Sequence, residues 1–187
     1  MRKVKLQVQT SVDGFVAGPN GELDWMVWDW DDELGRYVND LTEPVDIILL
    51  GRKMAGGFIS HWTNVVNEPD DPTYAFGKKM IDTPKVVFTK TLKKSEWENT
   101  DIATGDLTDE IAKLKSQDGK DIIVYGGANF VSNLINSDLI DEYHLFINPV
   151  ALGSGMTIFG DIEAKHNLRL VKAQPFSCGI VVLNYEK

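Results

Sequence analysis

The chain has 187 residues, with 19 Lys and Arg against 28 Asp and Glu, which gives a formal net charge of −9. This acidic balance argues against a nucleic-acid partner, because phosphate backbones are bound through clustered Lys and Arg. A composition of 43% hydrophobic and 25% charged residues is ordinary for a globular protein and argues against a disordered chain. We expect a single domain over residues 1–187.

The sequence contains no apolar run of membrane-spanning length, and Met1-Arg2-Lys3 leads into alternating residues instead of the apolar core of a signal peptide. We therefore expect a cytoplasmic protein without a membrane partner. A lone cysteine, Cys178, excludes an internal disulfide, and three scattered histidines make a metal site improbable.

The first element is a strand in which Val4, Leu6 and Val8 alternate with Lys5, Gln7 and Gln9. This period of two predicts one buried face and one face in water. A loop rich in turn formers follows, and residues 24–30 then hold three of the five tryptophans. Two interpretations of these tryptophans are equally supported: a hydrophobic plug beneath a loop, or an aromatic wall for a flat ligand.

The next segment, from Asp31 to Leu41, has the spacing of an amphipathic helix with acids in its first turn. Stabilisation of the helix dipole is sufficient to explain these carboxylates, and a catalytic acid among them is the alternative.

Three short apolar runs predict buried parallel strands, and each ends in residues suited to binding an anion. Residues 45–50 lead into Gly51-Arg52-Lys53, residues 85–88 into Thr89-Lys90, and residues 121–125 into Gly126-Gly127, with a helix from Ala128. A glycine turn at a helix start admits phosphate, and cations at the carboxyl ends of parallel strands lie where α/β proteins bind ligands. The alternatives are a tight connection for the glycines and surface solubility for the cations.

The remaining segments complete an α/β pattern. Helices are predicted after Pro72, where Pro starts the first turn, and over residues 106–117, and a strand is predicted over residues 143–147. Residues 168–172 and 179–185 follow as two strands without a helix between them, which indicates an antiparallel hairpin at the sheet edge. We expect a mostly parallel central sheet flanked by helices, with an antiparallel C-terminal hairpin.

Six short segments, in the same order over nearly the whole chain, resemble the dihydrofolate reductase-like superfamily. The chain is most similar to the bacterial branch related to the reductase domain of riboflavin biosynthesis. The segments are residues 11–18 (SVDGFVAG), 49–53 (LLGRK), 86–92 (VVFTKTL), 124–128 (VYGGA), 141–143 (DEY) and 149–155 (PVALGSG).

The resemblance implies a cofactor, NADPH, bound across the carboxyl ends of the parallel strands. It places Arg52 beside the adenosine 2′-phosphate, where a guanidinium offers a planar fork to phosphate oxygens. The cofactor-binding residues that it implies are Gly51, Arg52, Lys53, Thr89, Lys90, Gly126, Gly127, Ala128 and Asn129. One position departs from the family pattern, because Met54 stands where a phosphate-binding Thr is usual.

On the substrate side, Trp25 matches the tryptophan of a mobile loop, and the acid at the start of the following helix matches Asp32, or Asp31 with a different loop length. A carboxylate suits this position because it can accept paired hydrogen bonds from an amino-pyrimidine edge and relay a proton.

The resemblance therefore implies an NADPH-dependent oxidoreductase that acts on a small nitrogen heterocycle, of the dihydrofolate reductase or 5-amino-6-(5-phosphoribosylamino)uracil reductase type. It also implies a homodimer, formed through edge strands. The alternative, supported by Met54 and the unusual tryptophan segment, is a nucleotide-binding protein that kept the fold and lost turnover.

Overall fold

A computed structural model of the protein describes all 187 residues, Met1–Lys187. Five helices pack on one eight-stranded sheet. The strands are β1 (Val4–Thr10), β2 (Val45–Gly51), β3 (Lys85–Phe88), β4 (Thr100–Ala103), β5 (Asp121–Gly126), β6 (Glu142–Ile147), β7 (Arg169–Pro175) and β8 (Val181–Glu186). The helices are α1 (Asp32–Thr42), α2 (Arg52–Val66), α3 (Tyr74–Asp82), α4 (Leu107–Ser116) and α5 (Ala128–Asn136).

The strand order is β4-β3-β2-β5-β1-β6-β8-β7. The strands from β4 to β6 in this order are all parallel, β8 pairs antiparallel with β6, and β7 forms the outer strand of the C-terminal hairpin. The predicted α/β fold with a mostly parallel sheet and an antiparallel C-terminal hairpin is confirmed. Strand β4 was not predicted, because Thr-Asp-Ile-Ala has no apolar period and owes its extended form to pairing with β3.

Helices cover both faces of the sheet. On one face, side chains of α1, α2 and α3 pack on β2, β3 and β5, and the buried members of this cluster include Leu41, Ala55, Met80, Val87 and Ile123. On the other face, α4 and α5 pack on β1, β2, β5 and β6, through a cluster that includes Ile111, Leu134, Leu6 and Val124. Both faces of the central strands are thus shielded from water, as expected of a parallel sheet.

The prediction that one face of β1 lies in water is wrong. Strand β1 lies between β5 and β6, and its polar residues point into the layer that contains α1. Lys5 is only 8% exposed and Gln7 only 7%. The buried ammonium group of Lys5 is compensated by the carboxylate of Asp121, with an Nζ to Oδ2 distance of 2.9 Å.

Strands β2 and β5 are neighbours, and the glycines that follow them touch. A Cβ atom built on Gly127 would lie 3.1 Å from the Cα of Gly51, and one built on Gly51 would lie 3.0 Å from the Cβ of Phe130. No larger residue fits between the starts of α2 and α5 without displacing backbone. Both positions are therefore tightly packed, and a larger residue at either requires the neighbouring atoms to shift.

We expect Gly51→Ala to destabilise the protein by about 1–3 kcal/mol, because the new methyl group overpacks this contact. The matched control is Gly57→Ala in α2, where an added Cβ meets no atom within 4 Å. This control should gain about 0.5–1 kcal/mol from its higher helix propensity. Urea unfolding of the two variants measures the difference, and equal stability would contradict the close approach of the two turns.

Candidate functional site

The chain leaves the neighbouring strands β2 and β5 toward opposite faces of the sheet. Helix α2 packs through Ala55 on one face of the sheet, in the cluster that also contains Met80. Helix α5 packs through Val131 and Leu134 on the opposite face. In open α/β sheets a ligand crevice forms at such a point, outside the carboxyl ends of the strands. By this rule, the candidate crevice lies outside the carboxyl ends of β2 and β5, next to Gly51 and the Gly126-Gly127 turn.

The two helices that start at this crevice have no side-chain cap. Gly51 and Gly127 are their N-cap residues, and neither first turn contains an acid. By contrast, carboxylates of Asp31 and Asp106 cap α1 and α4 and accept backbone hydrogen bonds there. The first N–H groups of α2 and α5 have no partner within their helices and are free to bind an anion.

Cationic side chains without ion-pair partners lie just after strands β2 and β3. Arg52 and Lys53 are exposed, begin α2 and form no ion pair or side-chain hydrogen bond. Lys93 and Lys94, shortly after β3, are exposed and unpaired as well. Lys90 instead donates hydrogen bonds to carbonyl oxygens at the end of β4, at 2.8 and 2.9 Å. A chain of net charge −9 thus keeps a local positive surface at this edge.

Thr89 and Met54 contribute side chains near the glycine turns. Thr89 is 7% exposed, and its hydroxyl oxygen accepts hydrogen bonds from the backbone N–H groups of Thr91 and Leu92 at 3.1 and 3.2 Å. The sulfur of Met54 packs against Gly126, where a Cβ atom would approach it to 3.0 Å. Met54 therefore fills space beside the glycine turn and offers no hydroxyl there.

The two interpretations of the tryptophan segment, residues 24–30, apply to different tryptophans. Trp30 stacks on Phe146 with ring centroids 6.2 Å apart and belongs to the core beneath α1. Trp28 is 62% exposed, and the half-buried Trp25 donates its ring N–H to the carbonyl oxygen of Glu22 at 3.0 Å. The plug is Trp30, and the other two rings remain available at the surface.

Asn148 fixes this segment to the sheet, and sequence reasoning missed it. The side chain is fully buried directly after β6; its Oδ1 accepts a hydrogen bond from the Val27 N–H at 2.8 Å, and its Nδ2 donates to Gln9 Oε1 at 2.8 Å. The sequence feature that could have indicated Asn148 is its position as a polar residue between an apolar strand and Pro149. Through Asn148, the tryptophan segment lies at the same sheet edge as the crevice, beside β1 and β6.

Asp13 holds the preceding loop against residues 152–153. Its carboxylate accepts hydrogen bonds from the Ser11 hydroxyl at 2.6 Å and from the Gly153 N–H at 2.7 Å. These bonds, that of Ser11 foremost, lower the pKa of Asp13 to about 2. The loop after β1 is thus tied to the segment after β6.

The two candidate acids at the start of α1 differ in their surroundings. Asp31 accepts hydrogen bonds from the Leu34 N–H at 2.8 Å, the Ser177 hydroxyl at 2.7 Å and the Cys178 N–H at 3.0 Å. The bond from Leu34, followed by that from Ser177, lowers the pKa of Asp31 to about 2, so it stays ionised near neutral pH. Asp32 is exposed and makes no side-chain hydrogen bond. The Asp31 carboxylate is therefore occupied by structural hydrogen bonds, whereas that of Asp32 is free to contact a ligand.

Other features lie away from this edge. A surface cavity of about 480 Å³ includes Asp138, Tyr143 and His166, near the amino end of β6.

No group of three or more His, Cys, Asp or Glu side chains has the arrangement of a metal site. None of the helices has both the length and the apolar character needed to cross a bilayer.

Comparison with known proteins identifies the family. The family model of the RibD C-terminal domain matches residues 2–182. The chain belongs to this family. A Bacillus subtilis (strain 168) relative, the uncharacterized protein YyaP, is 36% identical over 98% of this chain and 94% of its own length. The resemblance to the reductase domain of riboflavin biosynthesis is confirmed.

Solved structures agree with this assignment at the level of fold. One neighbour is a diaminohydroxyphosphoribosylaminopyrimidine deaminase/5-amino-6-(5-phosphoribosylamino)uracil reductase from Thermotoga maritima, with a TM-score of 0.69 and 18% identity over 99% of this chain and 56% of that one. Another is a pyrimidine reductase-like protein from Corynebacterium diphtheriae NCTC, with a TM-score of 0.63 and 14% identity over 99% and 91% of the two chains. The RibD C-terminal domain family thus gives this chain a reductase-type fold.

Within this fold, the predicted cofactor residues lie at the carboxyl ends of β2, β3 and β5, which are adjacent in the sheet. Trp25, Asp31 and Asp32 lie in the segment that Asn148 attaches beside β1 and β6. The binding and catalytic roles of all these residues stay predictions.

The lowered pKa of Asp31 predicts a pH-dependent contribution to stability. Its pKa is lower in the folded state than the ordinary value of about 3.9, so its contribution is present above that pH and is lost as pH falls toward 2. Asp31→Asn keeps a capping side chain but removes the charge. We expect wild type to have a higher urea midpoint than this variant at about pH 6, and a smaller advantage at about pH 3. An equal difference at both pH values would show that the Asp31 charge does not stabilise the fold.

Proposed function

We propose that the protein is an NADPH-dependent reductase that transfers a hydride to a small nitrogen heterocycle of the pteridine or pyrimidine type. The observation that carries the proposal is the arrangement at the carboxyl ends of β2 and β5, where two uncapped helix starts lie beside unpaired cations. The reductase-type fold of the family supports it. The Thermotoga neighbour, described as a uracil reductase, and the pyrimidine reductase-like neighbour from Corynebacterium support a pyrimidine-type substrate.

The residues present fit such a cofactor. Arg52 would bind the 2′-phosphate, since an unpaired guanidinium at a helix start forms charge-assisted hydrogen bonds with phosphate. Lys53, Thr89 and Lys90 would line the same end of the crevice. At the other end, the Gly126-Gly127 turn precedes α5, whose first N–H groups, at Ala128 and Asn129, would donate to the pyrophosphate. Bound NADPH would supply the hydride, and the protein would supply binding and orientation.

The substrate would lie between the glycine turn and the tryptophan segment. Trp25 would provide a flat apolar surface, and Asp32 would accept hydrogen bonds from the heterocycle or exchange a proton with it. Asp31 serves as the N-cap of α1 and as an anchor for Ser177 and Cys178, which fixes the helix start that carries Asp32.

A second candidate function is nucleotide binding without turnover. One observation favours it: the sulfur of Met54 packs against Gly126 and brings no hydroxyl to the helix start. Loss of a phosphate hydrogen bond weakens binding by about 1 kcal/mol, and by more when the acceptor is charged. Under this alternative the crevice binds NADPH but no heterocycle is reduced.

Arg52→Ala is expected to weaken NADPH binding by roughly 10- to 100-fold, because charge-assisted hydrogen bonds to phosphate are worth about 1.5–3 kcal/mol. Titration followed by tryptophan emission measures the affinity. NADH, which lacks the 2′-phosphate, should bind wild type as weakly as NADPH binds the variant. The matched control is Arg36→Ala, because Arg36 is an exposed, unpaired arginine on α1 and should not affect binding.

Turnover is measured with the same proteins as oxidation of NADPH in the presence of a pteridine, pyrimidine and flavin panel. Reduction of a panel member by wild type, slowed in Arg52→Ala at subsaturating NADPH, is the expected result. Tight NADPH binding without reduction of any compound would favour the non-catalytic alternative. Absence of both binding and reduction would refute the proposal.

We also propose that the protein forms a homodimer through its edge strand β7. This strand has one unpaired edge, and its Leu170 and Val171 are 51% and 49% exposed. Exposed apolar residues on an open strand edge favour pairing with another strand. Sedimentation should show a dimer at micromolar concentration for wild type and a monomer for Val171→Lys. A wild-type monomer under these conditions would contradict the proposal.

A further inference from the structure

Five buried side-chain atoms in the protein have no hydrogen-bond partner, and four of them belong to residues on the strands β1, β5, β7 and β8. The five atoms are Gln7 Oε1, Tyr125 OH, His166 Nε2, Gln174 Oε1 and Asn184 Oδ1. Buried polar atoms without partners are rare in folded proteins, and each one requires a physical reason. The grouping of Gln7, Tyr125 and Asn184 is the feature that needs explanation.

The strand register aligns these residues across the sheet. Gln7 of β1 pairs with His144 of β6, and His144 pairs with Asn184 of β8. On the other side of β1, Lys5 pairs with Ile123 and Leu6 with Val124, so the next residues are Gln7 and Tyr125. Tyr125, Gln7, His144 and Asn184 therefore form a transverse polar row on one face of the sheet.

One half of the transverse polar row, His144 and Asn184, makes protein contacts, although Asn184 Oδ1 has no partner. The Tyr37 hydroxyl of α1 lies 2.7 Å from His144 Nδ1, Glu142 Oε2 lies 3.4 Å from His144 Nε2, and Asn184 Nδ2 lies 3.2 Å from His144 Nδ1. The other half, Gln7 and Tyr125, is unoccupied. Neither amide atom of Gln7 forms a hydrogen bond, although the residue is only 7% exposed, and the Tyr125 hydroxyl has no partner.

The unoccupied half lies next to the glycine turn at the end of β5. Tyr125 immediately precedes Gly126, and its ring packs against Phe58 of α2 with centroids 5.2 Å apart. The β2–β5 register shifts at this residue, since Leu49 pairs with Val124 but Leu50 pairs with Gly126. Such a bulge re-aims a side chain, and bulges are frequent beside functional sites.

The chemistry of the unoccupied half is neutral. The Gln7 amide offers one donor and one acceptor side by side, and the Tyr125 hydroxyl can donate or accept. Burial raises the pKa of Tyr125, so the phenol stays protonated. The closest charged group on β1, Lys5, is paired with Asp121. A neutral group with adjacent N–H and C=O complements this arrangement, whereas an ion would find no counter-charge.

We propose that Gln7 and Tyr125 contact the substrate and recognise the cyclic amide edge, an N–H beside a C=O, of a neutral heterocycle. The inference rests on the proposed function for the location of the substrate, and it identifies the residues that select it. Gln7 supplies the paired hydrogen bonds, and Tyr125 supplies one further hydrogen bond next to the glycine turn. The two side chains remain unpartnered in the free protein because their partner is the ligand.

The test combines stability and binding in Gln7→Met and Tyr125→Phe. Both variants should be at least as stable to urea as wild type in the absence of ligand, because each replaces an unpaired buried polar group by an apolar group of similar shape. Both should bind lumazine, a neutral pteridine with cyclic amide edges, about tenfold more weakly in calorimetric titrations of the NADPH-saturated and the free protein. The affinity for NADPH should not change.

Two controls make the result specific. Gln174→Met also removes a buried unpartnered amide oxygen, but on the edge strand β7, where Gln174 Nε2 bonds to Glu33, and it should leave lumazine binding unchanged. In 1,3-dimethyllumazine both amide N–H groups are methylated. This compound should bind wild type about tenfold more weakly than lumazine and should not distinguish wild type from Gln7→Met.

The inference is overturned if wild type does not bind lumazine, if both pteridines bind equally, or if the variants bind lumazine as wild type does. It is also overturned if either variant is less stable than wild type, because its polar group then has a structural partner such as an internal water. The proposed function can fail separately. If the protein binds no NADPH but shows the expected lumazine pattern, the recognition by Gln7 and Tyr125 stands and the reductase proposal falls.

Discussion

The structure depends on the contact between the backbone of Gly51 and that of Gly127. It allows the carboxyl ends of β2 and β5 to come together while α2 and α5 depart toward opposite faces of the sheet. A side chain at either position would press against the neighbouring helix start. Because the two helix starts are close, the free N–H groups of both helices, and the cations of the first turn of α2, can act on one ligand. Under the proposed function, the same two glycines that pack the helix starts together would also bring their N–H groups to one ligand.

Polar groups are distributed unevenly over the molecule in a way that fits this arrangement. At α1 and α4 the helix starts are neutralised by Asp31 and Asp106, and Lys5 deep in the sheet is paired with Asp121. The crevice lacks such compensation: its helices start without side-chain caps, and Arg52 and Lys53 have no partner. Across the neighbouring strands, Gln7 and Tyr125 are also left unsatisfied. Uncompensated groups cost folding stability, and those beside the carboxyl ends of β2 and β5 are of the kind that a bound ligand can complete.

The sequence predicted those parts of the fold that depend on local pattern. Strands β2 and β5 are short apolar runs bounded by glycine, and α5 follows from the spacing of Phe130, Val131, Leu134 and Ile135. The environment of β1 was predicted wrongly, because alternating Lys and Gln look the same whether they face water or a buried polar layer. Only the strand order, a non-local property, distinguishes the two. Strand β4 was not predicted for a related reason, because its pairing with β3 decides its conformation. The location of the candidate site at the carboxyl ends of the strands could be predicted from the residues that follow each strand. The positions of Asn148 and of the transverse polar row could be recognised only from the register of the strands.

In the proposed function, the two helix starts form one cofactor site. The most direct measurement is the backbone amide NMR spectrum of the isotope-labelled protein during titration with NADPH. The account predicts that the amide signals of residues 51–54 and of residues 126–130 shift together, with a single affinity, and that NADH produces much smaller shifts at residues 51–54. Shifts confined to one of the two helix starts, or absent from both, would contradict it.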